Sequence, residues 1–299
     1  SEMYFLSIEE RIQIAKAVVS MAAGRVPVIA SGNIEEREEE RVEETNRMAE
    51  TGVDAVILIT NQFASQEEDN EVWLERCSSF LDKLQPDIVL GLATGSTPIG
   101  MYKEMIRAYE EEGLDFSKVK TFNLDEYVGL DRDDPNSYSY HMRDVLFNHI
   151  NIKLENTFIP NGKSENLEDA CASYDKIIRD KGGIDLQILG IGENGHIAFN
   201  EPSDKLNIYT SIVKLDDTTI NANSRFFNSI EEVPKTAITM GMSSIMGARK
   251  IILMAHGKKK APIVKKLLEA KHISTYIPAT LLLLHPNVTF ILTEEAYEA

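Results

Sequence analysis

Short apolar runs rich in β-branched residues recur along this chain, each followed by a stretch long enough for a helix. That alternation constrains the fold more than any other feature. The runs lie at 26–30, 55–60, 88–92, 119–123, 186–191, 237–240, 251–256 and 288–292. They are apolar on both faces, as parallel strands are when helices cover a sheet on either side. Between them fall helix-length segments at 8–22, 35–51, 71–84, 99–112, 165–180 and 261–270. The pattern predicts an α/β fold: a mostly parallel sheet with helices on both faces, joined by crossovers.

A chain of 299 residues that is 43% apolar can bury one large α/β core or two smaller ones, without disulfide or metal support. Cys77 and Cys171 are far apart and outside any ligand-like spacing, so they are expected to be ordinary free thiols of a reducing compartment. A net charge of −17 argues against nucleic acid and anionic membrane surfaces as partners. No apolar stretch reaches the ~18 residues of a membrane span. The first ten residues lack the pattern of a secretory leader. A cytoplasmic protein is expected. The acidic run at 35–44, EEREEERVEE, reads as a solvated helix face, and Trp73 as a core residue of its helix.

Three segments at strand ends carry chemistry. The first is ATGSTP, containing Thr94, Gly95, Ser96 and Thr97, between a strand and a helix. A glycine turn, hydroxyl donors and helix N-terminal amides suit a phosphate, although a plain N-capped turn has the same composition. The second is FNLDEYVG, which puts Asp125 and Glu126 at the carboxyl edge of the next strand, where ligands of open α/β sheets gather. Adjacent carboxylates point in different directions, so one is expected to face a ligand; a capping or salt-bridging pair is the alternative. The third is GIGENGHIAFNEP, a glycine-rich loop carrying Asn194 and His196, with Glu201 five residues beyond the histidine. Glycines allow close approach of a ligand, and a carboxylate can orient and charge-tune the imidazole for acid/base work. Its GxGxxG spacing is a weak dinucleotide signal, since no helix of the needed length follows. Arg225 in NSRFF and Lys260 in HGKKKA add two cations suited to phosphate, despite the acidic total.

In this order and spacing, LATGSTP, FNLDEYVGL, GIGENGHIAFNEP, NSRFF and LLLLHPNVTFILTEEA resemble the glucosamine-6-phosphate deaminase family across residues 89–299. The resemblance implies a Rossmann-like deaminase fold. It implies conversion of glucosamine 6-phosphate to fructose 6-phosphate and ammonium, by an aldose–ketose isomerisation and loss of ammonia, with no cofactor and no metal. The class expected is a hydrolase or isomerase acting on an amino-sugar phosphate. Carried over by motif, Asp125 moves the proton at carbon 2 and His196 assists ring opening with Glu201 tuning it. Thr94 to Thr97, Arg225 and Lys260 hold the phosphate, and the stretch 211–238 corresponds to a mobile lid. Asn194 stands at a position where some members have aspartate, so one negative charge near the histidine is absent.

Residues 1–88 resemble something else. LSIEERIQIAKAVV, GRVPVIASGN and AETGVDAVILITNQFA are similar to scaffold segments of the dihydrodipicolinate synthase and N-acetylneuraminate lyase (β/α)8 barrels. The stretch ends before that family's catalytic lysine and tyrosine, so no aldolase chemistry is implied. The expected organisation is therefore a βα-barrel fragment at 1–88 joined to a catalytic domain at 89–299, as a recombined or designed chimera or a natural fusion. The strand at 55–60 and the helix at 71–84 would complete the deaminase sheet. The alternatives are a 6-phosphogluconolactonase-like hydrolase, a non-catalytic phosphosugar-binding module and an inactive chimera. A short C-terminus, as in the smaller deaminases, points to a monomer or homodimer.

Overall fold

The structure is a computed structural model, described at residues 5–23, 25–53, 55–58 and 88–297. It divides into two compact units, Ser1–Pro86 and Asp87–Ala299. The expected helix at 71–84, with Trp73 and Cys77, lies outside the described residues.

In the first unit, helix α1 (Ile8–Ala22) starts at a capping box in which Ser7 and Glu10 satisfy each other's backbone amides. Strand β1 (Ile29–Gly32) lies parallel to β2 (Ala55–Leu58), and α2 (Glu38–Ala49) connects them. This is one β-α-β unit behind a helix, and no barrel is formed among the described residues. The strand expected at 55–60 to complete the deaminase sheet pairs instead with β1 in a two-stranded sheet of its own, because its hydrogen-bonding edge is taken up by β1. β1 begins later than the apolar run suggested, because Val26 is exposed and pairing with β2 starts at Ile29. The acidic run is not wholly solvated either. Glu44 is 1% exposed, ion-paired with Arg11, and accepts the backbone amides of Ile34 (2.8 Å) and Glu35 (3.2 Å). Arg11 also reaches Glu35 at 2.6 Å, so a buried carboxylate and guanidinium tie α1, α2 and the β1 turn together.

In the second unit, strands β3 (Val89–Leu92), β4 (Lys120–Asn123), β6 (Thr157–Phe158), β7 (Leu186–Gly190), β10 (Lys250–Ala255) and β11 (Val288–Leu292) form one parallel sheet. Its order is β11-β10-β7-β3-β4-β6. Helices α3 (Ile99–Glu112), α4 (Tyr138–Val145), α5 (Leu167–Asp180), the short α7 (Met242–Met246) and α8 (Ala261–Leu268) accompany the sheet. The core holds Leu189, Leu253, Ile251 and Phe122, all at 0% exposure, with Phe122 stacked on Phe158 at 4.8 Å. The α/β class and the mostly parallel sheet are as the sequence predicts.

The run at 237–240 is the exception. It forms β9 (Thr236–Thr239), which pairs antiparallel with β5 (Asp125–Tyr127) and β8 (Ser211–Lys214) in a separate three-stranded sheet. Its complete burial comes from packing between β5 and β8 rather than from a place in the parallel sheet. A second apolar cluster of Tyr127, Phe199, Leu215, Ile220, Val233 and Ala237 underlies it. The stretch expected as a lid folds here as β8, helix α6 (Asp217–Asn223), two 3-10 turns and most of β9.

The chain runs outward from β3 through β4 to β6, then returns to β7 on the other side of β3 and proceeds to β10 and β11. Strand order therefore reverses at β3, and open α/β sheets bind ligands at such a switch point, beyond the strands' carboxyl ends.

Candidate active site

A cleft of about 600 Å³ opens at that switch point. Its walls are the segments that follow β3, β4, β7 and β10, closed on one side by α6.

After β3 the chain turns at Gly95, whose φ of +82° is left-handed and strains any residue with a Cβ. Helix α3 is entered through Pro98 without a side-chain cap. No side-chain hydroxyl, of Ser96 or Thr97 included, is spent on capping this helix. Ser96 Oγ accepts from the Arg225 guanidinium at 3.2 Å. Lys260, half-buried at the start of α8, also lines the cleft. Burial lowers its ammonium pKa; Arg225 and Lys259 push the same way, and Glu193 opposes them. Thr94, Gly95, Ser96, Thr97, Arg225 and Lys260 thus line one cleft, with Arg225 bonded to Ser96 and close enough to Lys260 to act on its charge, and Lys258 and Lys259 in the same lining. A group of three or four donors and cations around a glycine turn is what a phosphate monoester needs.

Asp125 and Glu126 occupy consecutive positions of β5, so their side chains leave on opposite faces. Glu126 turns inward and accepts the backbone amides of Tyr127, Tyr138 and Ser139, each at 2.9 Å, capping the start of α4. Asp125 lines the cleft, where its nearest polar partner is Thr94 Oγ1 at 3.5 Å. Burial, reinforced by the neighbouring Glu126 charge, pushes the Asp125 carboxyl up to about 8, against the opposing bond from Thr94. Tyr138 forms the wall beside it, and its hydroxyl donates to Tyr127 Oη at 3.3 Å.

The loop after β7 presents His196. A Cβ on Gly192 would lie 2.4 Å from His196 Cε1, so the ring occupies space that only glycine leaves free. The loop closes on itself: Gly192 N–H donates to His196 O at 2.9 Å, and Asn200 Nδ2 donates to Ile197 O at 3.1 Å and Met240 O at 3.0 Å. His196 Nδ1 meets Glu201 Oε2 at 3.1 Å, with side chains only 17% and 12% exposed. The same Oε2 accepts from Asn194 Nδ2 at 2.8 Å, while Oε1 accepts from Thr219 Oγ1 at 2.6 Å. Burial opposes ionisation of Glu201, but the bond and charge of His196, with Thr219 and Asn194, outweigh it and hold its pKa below the ordinary value. Asn194 also accepts the backbone N–H of His196 at 3.1 Å. Its side chain thus steadies the carboxylate and the loop rather than the imidazole ring.

Every residue singled out by sequence is brought to this cleft or, for Glu201, into contact with His196. Sequence reasoning missed Thr219 and Tyr138. Each is one hydroxyl residue among many, 18 residues from Glu201 and 13 from Asp125, and only the tertiary fold brings them together. Among the described residues, no three His, Cys, Asp or Glu side chains converge as a metal site requires.

An open parallel sheet, a phosphate-type loop at its switch point and a buried carboxylate facing a His–Glu pair define a sugar-phosphate enzyme fold. The chain belongs to the family of glucosamine-6-phosphate isomerases and 6-phosphogluconolactonases, whose sequence profile matches residues 66–291. Within it, a glucosamine-6-phosphate deaminase of Clostridium tetani is 58% identical over 240 residues, 80% of this chain and 98% of that protein. One of Clostridium perfringens is 56% identical over 214 residues, 72% of this chain and 88% of that protein. The solved structure of a monomeric glucosamine-6-phosphate deaminase superposes with a TM-score of 0.69 at 39% identity, covering 90% of this chain and 98% of that one. A 6-phosphogluconolactonase from Thermotoga maritima shares the fold, with a TM-score of 0.54 at 22% identity over 76% of this chain and 97% of that one. The profile of the dihydrodipicolinate synthetase family matches residues 1–70. Of the hydrolase or isomerase classes expected from sequence, the family description gives the glucosamine-6-phosphate members the isomerase one. No helix among the described residues is long and apolar enough to cross a membrane.

Proposed function

We propose that the chain is a glucosamine-6-phosphate deaminase, producing fructose 6-phosphate and ammonium. The observation that carries the reading is one cleft with a cationic, hydroxyl-rich end and, facing it, Asp125 opposite the His196–Glu201 pair. Identity of 56–58% to curated deaminases agrees with it.

The phosphate sits on residues 94–97, Arg225 and Lys260. Holding it there fixes carbons 1 and 2 against the acid/base groups and turns remote binding energy into orientation. His196, kept in one orientation by Glu201, takes the proton of the anomeric hydroxyl and returns one to the ring oxygen, which opens the ring. Asp125 then removes the proton from carbon 2 while the carbon 1 oxygen takes one from the substrate ammonium, giving an enolamine, and delivers its proton to carbon 1. Carbon 2 is left as an iminium; water adds to it and ammonia departs, leaving the ketose. A base pushed up to about 8 keeps its proton near neutrality in the empty site, and the ammonium of the arriving substrate favours its ionised form.

A coupled assay for ammonium and fructose 6-phosphate tests the reading. Activity in the parent that survives Asp125→Asn overturns the assigned role. Turnover of the phosphorylated lactone without ammonia release would favour the lactonase instead. A phosphosugar-induced rise in melting temperature without turnover would mark a binding module, and no rise an inactive site.

For the chain's organisation we propose the division expected from sequence, a first segment at 1–88 joined to the catalytic domain at 89–299, a chimera by origin with the barrel-family likeness confined to about the first 70 residues. The synthetase-like match at 1–70 and the unmatched fifth of the chain in the Clostridium tetani comparison support it. The start of the family match at 66 supports assigning the later part of the first segment to the deaminase sequence. The monomeric solved relative supports a monomer over a homodimer.

A further inference from the structure

Both carboxylate oxygens of Glu201 accept hydrogen bonds. Oε2 is held by His196 and Asn194, both on the loop after β7, so that side of the carboxylate is local in sequence. Oε1 is held by Thr219, which belongs to α6. Thr219 is 4% exposed, and its hydroxyl also lies 3.4 Å from His196 Nδ1. It is the contact through which α6 touches the acid/base pair at both members.

Helix α6 does not rest on the main core. Ile220 and the flanking Leu215 pack into the smaller cluster with Tyr127, Phe199 and Val233. At its other end α6 runs directly into the 3-10 turn Ser224–Phe226 that carries Arg225, whose guanidinium lies over Phe226 at 4.7 Å and donates to Ser96. One short helical rod therefore bears a phosphate-facing cation at its end and the hydroxyl that fixes Glu201 near its start. Six residues of helix span about 9 Å, the distance over which the two functions are mechanically joined.

We propose that Thr219 is a positioning residue that links anion binding at Arg225 to the orientation of the Glu201–His196 pair through α6. An anion drawing Arg225 onto residues 94–97 seats α6, and the seated helix presents Thr219 Oγ1 to Glu201 Oε1. The carboxylate is then fixed on both oxygens, and the imidazole with it. Without the hydroxyl, Glu201 keeps its local partners but loses the one that reports on the phosphate end. The proposal deepens the deaminase reading, and only the kinetic part of its test rests on that reading.

The test follows the imidazole proton–carbon NMR signals of His196 in the full chain during titration with inorganic phosphate. In the parent the signals shift on saturation. In Thr219→Val the shift shrinks by about half or more while the phosphate Kd stays within about threefold, because the anion contacts are untouched. No shift in the parent, or an undiminished shift in Thr219→Val, overturns the proposal. Should the valine variant melt cooperatively only below the working temperature, Thr219→Ala and Thr219→Ser replace it. Serine then retains the response and alanine loses it, and equal responses overturn the idea. In the ammonium assay, Thr219→Val lowers kcat by about 10- to 100-fold with KM within about threefold, and Thr219→Ser recovers most of it, as expected for one bond to a charged group. If the parent itself releases no ammonium, the deaminase reading falls while the NMR result still decides the coupling.

Discussion

The two ends of the cleft are built on opposite principles. At the phosphate end, Arg225 and Ser96 are exposed and the donors come from loop hydroxyls and long cationic side chains. At the acid/base end, Asp125 is 5% exposed and Glu201 has both oxygens committed to fixed donors. An anion with charge to spare is captured well in a partly wet site by several adaptable cations. A proton transfer needs groups whose geometry and proton affinity are set beforehand, which takes burial. Binding and chemistry should therefore separate under mutation.

The largest effect belongs to Asp125→Asn, which removes the proposed base without changing volume. Its kcat should fall by about 100- to 10,000-fold with KM little changed, read in the ammonium assay. His196→Gln should come next, losing at least about 100-fold in kcat. Arg225→Met tests the other end: KM should rise by about 10- to 100-fold, the worth of a charge-assisted bond, with a smaller change in kcat. A mainly kcat effect there would break the division between the two ends and would agree with tight coupling through α6.

The pH dependence sharpens the same contrast. A base pushed up to about 8 in the free protein must lose its proton to act. Thus kcat/KM should fall as pH drops through that value, and the acidic limb should vanish in Asp125→Asn beneath its residual rate. Smallest is the effect on stability. Between the ordinary aspartate value of 3.8 and about 8, folded Asp125 keeps a proton that the unfolded chain releases, so stability is full below 3.8 and declines as pH rises through that window. Asp125→Asn removes this decline. Its melting temperature should exceed the parent's at pH 8, by about 2–4 °C for each kcal/mol recovered, and match it near pH 4. Glu201 behaves oppositely, since its lowered pKa gives stability present above the ordinary glutamate value of 4.5 and lost at more acid pH.

Much of this was legible in the sequence because it is local. Strand and helix periods reflect side chains a few residues apart, and β3, β4, β7, β10 and β11 appear where apolar runs predicted them, within a residue or two. Motifs at strand ends are equally local, so residues 94–97, Asp125, His196 and Glu201 could be named before any fold was known. Periodicity failed at 237–240. Complete burial looks the same in a parallel strand between helices as in an antiparallel strand between β5 and β8. It failed again at Glu44, where a charge that composition assigns to solvent is buried on Arg11.

The sequence by itself determined the alternation of elements through spacing and residue type, and the likeness of its motifs to known deaminases carried the family and the candidate site residues. Only the tertiary structure decided that Asp125 rather than Glu126 faces the cleft, that Asn194 serves the carboxylate rather than the ring, and that Thr219 joins them. These depend on which distant segments share space, and a hydrogen bond across 18 residues leaves no trace in local spacing.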